Sequence, residues 1–268
     1  MIFNNLINFI LKLLALFLRI IIFSISRIII IKFVLFETSR LGGISRTIDD
    51  FLYHPIDKKN YVKYIFIYFR ELPISNYFFQ NVVEKEIKKI NKSTYFFDNS
   101  KFSKYLFSSF SRFPFGKESF HRPYKELKGR NNLFFNYDYV KNPQIRLNSK
   151  ESTKGYQLLE ELKIKNKKKW ICIHNRDSNY LKILTNHENF KNINFAYHNY
   201  RDSDVNNLIK STKLLLEKNF TVFRMGRIQS NKMNFKQEDF IDYAFEDKKS
   251  DFNDIFLLTN CEAYLGSD

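Results

Sequence analysis

Four polar clusters in this chain each pair two of arginine, carboxylate and glycine in a short span, at or near the border of an apolar run. His174-Asn175-Arg176-Asp177-Ser178 follows Trp170 to Ile173, and Tyr200-Arg201-Asp202-Ser203-Asp204 opens the run that ends at Glu217. Arg224 lies within Phe220 to Met225, just ahead of Gly226-Arg227, and Gly266-Ser267-Asp268 follows Ala263 to Leu265. A guanidinium presents a planar fork that matches phosphate oxygens, and glycine lets a backbone amide approach an anion closely. Charge-assisted hydrogen bonds are worth about 1.5–3 kcal/mol each, so two or three hold a diphosphate well. A ligand carrying a diphosphate is the simplest chemistry for this set. Plainer alternatives are a helix cap for Asp202 or Ser203, a core histidine for His174 and a surface ion pair for Arg176. Asp202-Ser203-Asp204 also spells an Asp-x-Asp metal motif, but it opens a helix instead of ending a strand. His174, His187 and His198 lack ligand spacing, and no bound metal is expected.

The elements that must position these groups follow from the hydrophobic period. Strand-type runs are Ile28 to Phe36, Tyr61 to Phe69, Thr94 to Phe97, Trp170 to His174, Phe220 to Met225, Phe240 to Phe245 and Ala263 to Leu265. Helical runs are Ile44 to Tyr53, Asn76 to Ile90, Thr153 to Ile164, Asp204 to Glu217 and Phe252 to Thr259. This alternation predicts an α/β fold of parallel sheets covered by helices, with a break near residue 150 separating two units. In such sheets ligands collect beyond the carboxyl ends of the strands, which is where the polar clusters fall. The turn Arg40-Leu41-Gly42-Gly43 after the first strand resembles a degenerate phosphate loop but fits neither the dinucleotide nor the Walker pattern. The aromatic-rich stretch from Phe102 to Ser149, broken by Pro114, Pro123 and Pro143, carries no readable period.

Leu6 to Ile31 is almost continuous Leu, Ile and Phe, interrupted by Lys12, Arg19 and Arg27. Wound as a helix, Asn4, Asn5, Asn8, Lys12, Arg19, Ser26 and Arg27 fall within an arc of roughly 140°. Such an amphipathic face suits the headgroup plane of an anionic membrane. A spanning helix, for which about 20 apolar residues suffice, and a buried helix of a soluble fold are the competing readings. No small-residue cleavage site follows a short apolar core, so a removable signal peptide is not expected. With no linker before Ile28, the body is expected at the cytoplasmic face of the membrane, peripheral or single-pass.

The chain has 268 residues, with 44 Lys+Arg against 28 Asp+Glu and a formal net charge of +16. At 44% hydrophobic and 27% charged it is globular, and 7 Gly with 5 Pro exclude a collagen-like or linker-dominated chain. The basic residues are spread along the chain, and the cluster Lys163, Lys165, Lys167, Lys168, Lys169 reads as a solvated loop. Nucleic acid is therefore not an expected partner. Part of the excess matches the Lys, Asn, Ile, Phe and Tyr usage of AT-rich coding, and an anionic membrane or a diphosphate accounts for its sign. Cys172 and Cys261, both in apolar runs, read as two buried thiols and not as a disulfide framework.

Taken in order, four segments resemble a family of bacterial glycosyltransferases associated with surface-polysaccharide loci. They are His174-Asn175-Arg176-Asp177-Ser178-x-Tyr180-Leu181, Tyr200-Arg201-Asp202-Ser203-Asp204-x-Asn206, Arg224-Met225-Gly226, and Asp254-Ile255-x-Leu257-Leu258-x-Asn260-Cys261 running into Gly266-Ser267. Arg40-Leu41-Gly42 is similar to the opening turn of that family, with Gly43 in the place of a histidine. The resemblance implies a GT-B-like pair of Rossmann-like domains behind an N-terminal hydrophobic amphipathic helix. Residues 1–27 would be the membrane-associated helix, 28–150 an acceptor-side domain and 151–268 a nucleotide-sugar-binding domain. Carried over, His174, Arg176, Asp177, Ser178, Arg201, Ser203, Arg224, Gly226, Asp254, Gly266 and Ser267 form the donor-binding set. Arg176 is then the diphosphate clamp and Gly266-Ser267 the phosphate-approach loop, while Arg40, Gly42 and Gly43 form the acceptor-side loop. Enzymes of this fold generally need no bound metal, because basic side chains and helix N-termini stabilise the departing diphosphate. The family pattern continues past Gly266-Ser267 into a further helix, so the chain is expected to be truncated and its donor domain incomplete.

The expected activity is transfer of a sugar from a nucleotide-diphosphate donor to a surface-glycan or lipid-linked acceptor. Asp49, Asp50 and His54 are the candidates for the base that deprotonates the acceptor hydroxyl. The alternative is a noncatalytic, truncated relative or a scaffold of a polysaccharide assembly complex.

Overall fold

Isoleucine, valine and phenylalanine dominate the three runs that pair in the first half of the chain, and such side chains favour a pleated surface. In the computed structural model, which describes residues 2–25, 27–36, 38–48, 62–68, 74–90, 92, 94–97, 145–164, 169–186 and 194–266, these runs are β1 (Ile30–Phe36), β2 (Val62–Tyr68) and β3 (Thr94–Phe97). They form a parallel sheet in the order β1-β2-β3, with Phe66 opposite both Val34 and Phe96. Period 2 puts Val34, Phe36, Tyr64 and Phe66 on one face, where Ile44, Val83 and Ile87 close the core. Phe66 stacks on Phe96 at 4.8 Å and meets Phe36 edge-on at 6.1 Å, contacts worth about 0.5–1.5 kcal/mol each beyond their burial.

Ile44 belongs to α2 (Leu41–Ile48), and Val83 and Ile87 to α3 (Tyr77–Ile90). Asn76 starts α3 by accepting the Phe79 amide at 2.7 Å on Oδ1. Ahead of the sheet runs α1 (Ile2–Ile25), which turns into β1 through hydrogen bonds from the Ile28 and Ile29 amides to Ile25 O. Its inward stripe is Asn8, Leu11, Leu18, Arg19, Ile22 and Ile25, with Arg19 and Ile22 each 7% exposed. Leu6, Phe9, Leu13, Phe17, Ile20 and Phe23 lie exposed. Arg19 therefore does not face headgroups as the sequence arc predicts. Arg19 and Asn8 thus sit among Leu11, Leu18, Ile22 and Ile25 on the inward side, while Asn5, Lys12 and Ser24 share the exposed side with Leu, Ile and Phe, so α1 does not divide into one polar and one apolar face.

The two compact units of the chain are Met1–Arg146 and Leu147–Asp268. The second opens with α4 (Ser149–Glu161), started by a reciprocal cap: Glu151 N donates to Asn148 Oδ1 at 2.9 Å and Asn148 N to Glu151 Oε2 at 2.7 Å. Its sheet comprises β4 (Trp170–His174), β5 (Thr221–Arg224), β6 (Phe240–Ile241) and β7 (Ala263–Gly266), all parallel in the order β6-β5-β4-β7. Three helices complete it: α5 (Asn179–Thr185), α6 (Ile209–Glu217) and α7 (Asp251–Asn260). Ile171, Ile173 and Val222 pack on Val205, Leu208, Ile209 and Leu215. On the other face Trp170 lies against Phe223 and Phe256, and its Nε1 donates to Leu257 O at 3.0 Å. Gly155 allows α4 to meet α7, since a Cβ there would come within 2.0 Å of the Phe256 ring.

The molecule is thus a mixed α/β protein with parallel sheets, as the alternation predicts. Besides shifts of a few residues at helix and strand ends, three differences from the sequence reading change the type of an element. The strand expected over Phe240 to Phe245 stops at Ile241 and becomes a 3₁₀ turn, Tyr243–Phe245, because Asp242 turns its carboxylate to Arg224. The helix expected from Asp204 begins as a 3₁₀ turn, Val205–Leu208, and its cap is Asp204 itself, accepting the Asn206 amide at 2.9 Å, not Asp202 or Ser203. Helix α5 carries no clear period and is absent from the sequence reading.

Candidate strand-end site

Parallel pairing brings the carboxyl ends of β4 to β7 to one edge. Ile173 lies opposite Arg224 and Leu265, His174 opposite Gly266, and Phe223 opposite Ile241, which precedes Asp242. The loops after these strands therefore leave from the same side, the position at which open parallel sheets take ligands.

Arg224 is 0% exposed and every N–H group it has is engaged. Nε and Nη2 donate to Asn175 Oδ1 at 3.3 and 3.1 Å, and Nη2 also to Gln229 Oε1 at 2.9 Å. Nη1 donates to Asn231 O at 2.9 Å and to the Asp242 carboxylate at 3.0 and 3.2 Å. Asp242 further accepts the Met233 amide at 3.0 Å. The sequence places Arg224 among the ligand-contacting residues, whereas its five donors are consumed by the protein. It is the internal tie of the site.

Asn175, 2% exposed, passes that tie onward by donating Nδ2 to Ser203 O at 3.2 Å. Ser203 N returns a hydrogen bond to Arg176 O at 3.0 Å, so the 202–203 segment is fastened to the end of β4 from both sides. Arg176 stands over this junction with Nε 3.6 Å from Asp202 Oδ1. Asp177 is a second tie: Oδ1 accepts the Asn179 amide at 3.0 Å at the start of α5, and Oδ2 accepts the Ser230 amide at 2.7 Å. Ser178 accepts the Lys182 amide on its carbonyl.

Gly226 has φ +147°, and a Cβ there would come within 2.6 Å of Gln229. Gln229 in turn spans to His174 Nε2 at 3.5 Å and to Asn175 O at 3.4 Å. The His174 ring lies nearly parallel to that of Tyr264 at 6.5 Å, beside exposed Gly266. Arg201 closes the 3₁₀ turn Ala196–Arg201, meeting His198 Nδ1 through Nη2 and the Tyr200 ring at 5.7 Å. Asp254 lies in the first turn of α7, where burial holds its carboxyl above the usual range, opposed in part by Tyr243 and the charge of Arg227.

The edge thus gathers His174, Arg176, Asp177, Ser203, Gly226 and Gly266, with Arg201 one residue before the fastened segment. Arg40, Gly42 and Gly43 belong to the other unit, where Arg40 O accepts the Gly43 and Ile44 amides at 3.0 and 3.2 Å at the start of α2. Asp49, Asp50, His54 and Ser267 lie outside the described residues. Among the described residues no group of three or more His, Cys, Asp or Glu is placed to hold a metal ion. Gln229 and Asp242 are the working residues that the sequence reading passes over. The available signal was a lone carboxylate in one apolar run, Asp242, and a lone arginine in another, Arg224.

No family model, no curated protein and no solved structure matches this chain.

Proposed function

We propose that the strand-end site of the second unit holds the diphosphate of a nucleotide-sugar and that the chain is a glycosyltransferase acting at a membrane surface. One observation carries this reading: Arg176 and Arg201 stand at either end of the segment that Ser203 fastens to the end of β4, at the edge where β4, β5 and β7 end and where Gly226 and Gly266 lie close against Gln229 and Tyr264. In this reading both units are Rossmann-like halves of a GT-B-like enzyme, and the first unit takes a glycan or lipid-linked acceptor. The acceptor hydroxyl attacks the anomeric carbon, the bond from that carbon to the diphosphate oxygen breaks, and the guanidinium charge stabilises the departing diphosphate. Helix α1, apolar over Asn5–Ile25 with mean hydropathy 2.4, is long and apolar enough to cross a membrane by length and composition. Its exposed Leu, Ile and Phe side chains support seating at the cytoplasmic leaflet, with the +16 charge of the chain favouring anionic lipid.

The test is thermal unfolding of the full chain with nucleoside diphosphates. Ligand at 100 times its dissociation constant stabilises the folded state by about 2.7 kcal/mol, a readable shift. Arg176→Ala is expected to remove the ligand-induced shift while leaving the unliganded midpoint nearly unchanged. An identical shift in wild type and variant removes Arg176 from the site, and no shift with any nucleoside diphosphate defeats the proposal.

A further inference from the structure

The covered residues of α1, Asn8, Leu11, Leu18, Arg19, Ile22 and Ile25, fall within an arc of roughly 120° and recur from the second turn of the helix to its last. At 1.5 Å per residue this stripe is about 25 Å long. Opposite it, from Leu16 round through Leu13, Phe17 and Ile10 to Ile7, roughly 180° of the helix surface is exposed Leu, Ile and Phe. Among the described residues of that arc Ser24 is the polar exception, and its hydroxyl donates to Ile20 O at 3.0 Å. Asn5 and exposed Lys12 lie at one border between the two arcs. We infer that α1 lies flat in one leaflet of an anionic membrane, its exposed arc among the acyl chains and the body on its other side, and does not cross the bilayer. This rests on the membrane seating proposed above and fixes its geometry, which length and composition leave open.

A hydrocarbon core is about 30 Å thick, so a spanning α1 would carry its 25 Å stripe, with whatever packs on it, through most of that depth. The turn after α1, closed by the Ile28 and Ile29 amides on Ile25 O, leaves no tether that could hold the body away. Directly beyond it stands β1 of an open parallel sheet, and an open sheet edge cannot follow a helix into lipid, where its backbone groups go unsatisfied. A helix in the interface plane needs lipid on one side only. Its other side must be kept from the acyl chains, and here the body takes the place of a polar face. Lys12 at the border of the apolar arc and exposed Arg27 just after the helix are then at headgroup level, where anionic lipid attracts them.

The experiment reconstitutes the full chain from detergent into vesicles of phosphatidylethanolamine and phosphatidylglycerol. Leu6, Leu13 and Ile20 are exposed and, seven residues apart, lie along one line of the apolar arc. Leu6→Trp, Leu13→Trp and Ile20→Trp are made singly, and the signal of Trp170, the single Trp of the chain, is subtracted with wild type. Quenching by lipids brominated near the headgroup or near the chain ends reads the depth of each ring. The expected result is one shallow depth for all three, with the same ratio of headgroup to chain-end quenching. In a spanning helix Leu13→Trp, close to the middle of Asn5–Ile25, is quenched from the chain ends and Leu6→Trp from the headgroups. That graded profile overturns the inference and leaves the membrane seating in place. Vesicle-bound protein with none of the three rings quenched shows the arc covered by protein, and failure to bind vesicles removes the seating itself; either result also defeats the flat placement.

Discussion

Arg224 gives two N–H groups, Nε at 3.3 Å and Nη2 at 3.1 Å, to a single acceptor, Oδ1 of Asn175. The contact crosses from the end of β5 to the first residue after β4. It orients the Asn175 amide so that the opposite atom, Nδ2, points at Ser203 O. A buried charge thereby sets the spacing of the loops around the proposed ligand without touching it.

Arg224→Met keeps length and apolar stem but leaves Asn175, Gln229 and Asp242 without their donor. Breaking one side of a buried charge pair costs about 3–5 kcal/mol, so the urea midpoint is expected to fall sharply. Arg224→Lys is expected to recover little, since one ammonium has three donors and no fork. A change below about 1 kcal/mol for Arg224→Met is incompatible with the tie described.

Two glycines separate a required conformation from a permitted one. Gly226→Ala meets Gln229 and a φ of +147°, and strain of this kind costs about 1–3 kcal/mol. Gly42 sits in the first turn of α2 with nothing within 4 Å of an added Cβ. Gly42→Ala is therefore expected to be neutral or to stabilise by up to about 1 kcal/mol. Denaturation midpoints of the two variants should move in opposite directions.

Asp254 has its folded pKa raised, chiefly by burial. The folded state then holds this proton more tightly than the unfolded state, so its charged form weakens stability as pH rises above the unfolded value of about 3.9. Asp254→Asn is expected to flatten the decline that begins above about pH 4 and to match wild type below it. Unfolding midpoints of both proteins across pH decide it; parallel curves count against a buried carboxyl.

Phe17 and Ile20 lie on the exposed apolar side of α1, away from Arg19 and Ile22. Burying each such side chain is worth about 1.5–3 kcal/mol, so Phe17→Asp with Ile20→Asp should weaken binding to anionic vesicles by about two orders of magnitude or more. Co-sedimentation measures this, and circular dichroism checks that the body still folds. Equal pelleting of both proteins argues that α1 is covered by protein instead of lipid.

Local period carried most of the architecture. Trp170 to His174 alternates with helical runs on either side and folds as β4 with those same bounds, because two-residue and 3.6-residue periods are properties of neighbouring side chains. Helix α5 escaped because its seven residues hold too little period; the Asp177 carboxylate, turned back onto the Asn179 amide, starts it. The clustering of His174, Arg176, Gly226 and Gly266 at strand ends was legible for the same reason as the strands themselves.

The destination of each side chain was another matter. Arg176 and Arg224 both follow apolar strand residues, and nothing within a few positions distinguishes an arginine at the strand-end edge from one buried in the core. The distinction came from Asn175, Gln229, Asn231 and Asp242, acceptors drawn from three loops and up to 49 positions from Arg224. Likewise the polar arc of α1 was visible in its sequence, while the turning of Arg19 inward was set by what the helix packs against. Pattern along the chain determined the elements and the edge where they end. Burial of the Arg224 charge arose only when distant strands came into register, because that energy belongs to pairs that the covalent order keeps apart.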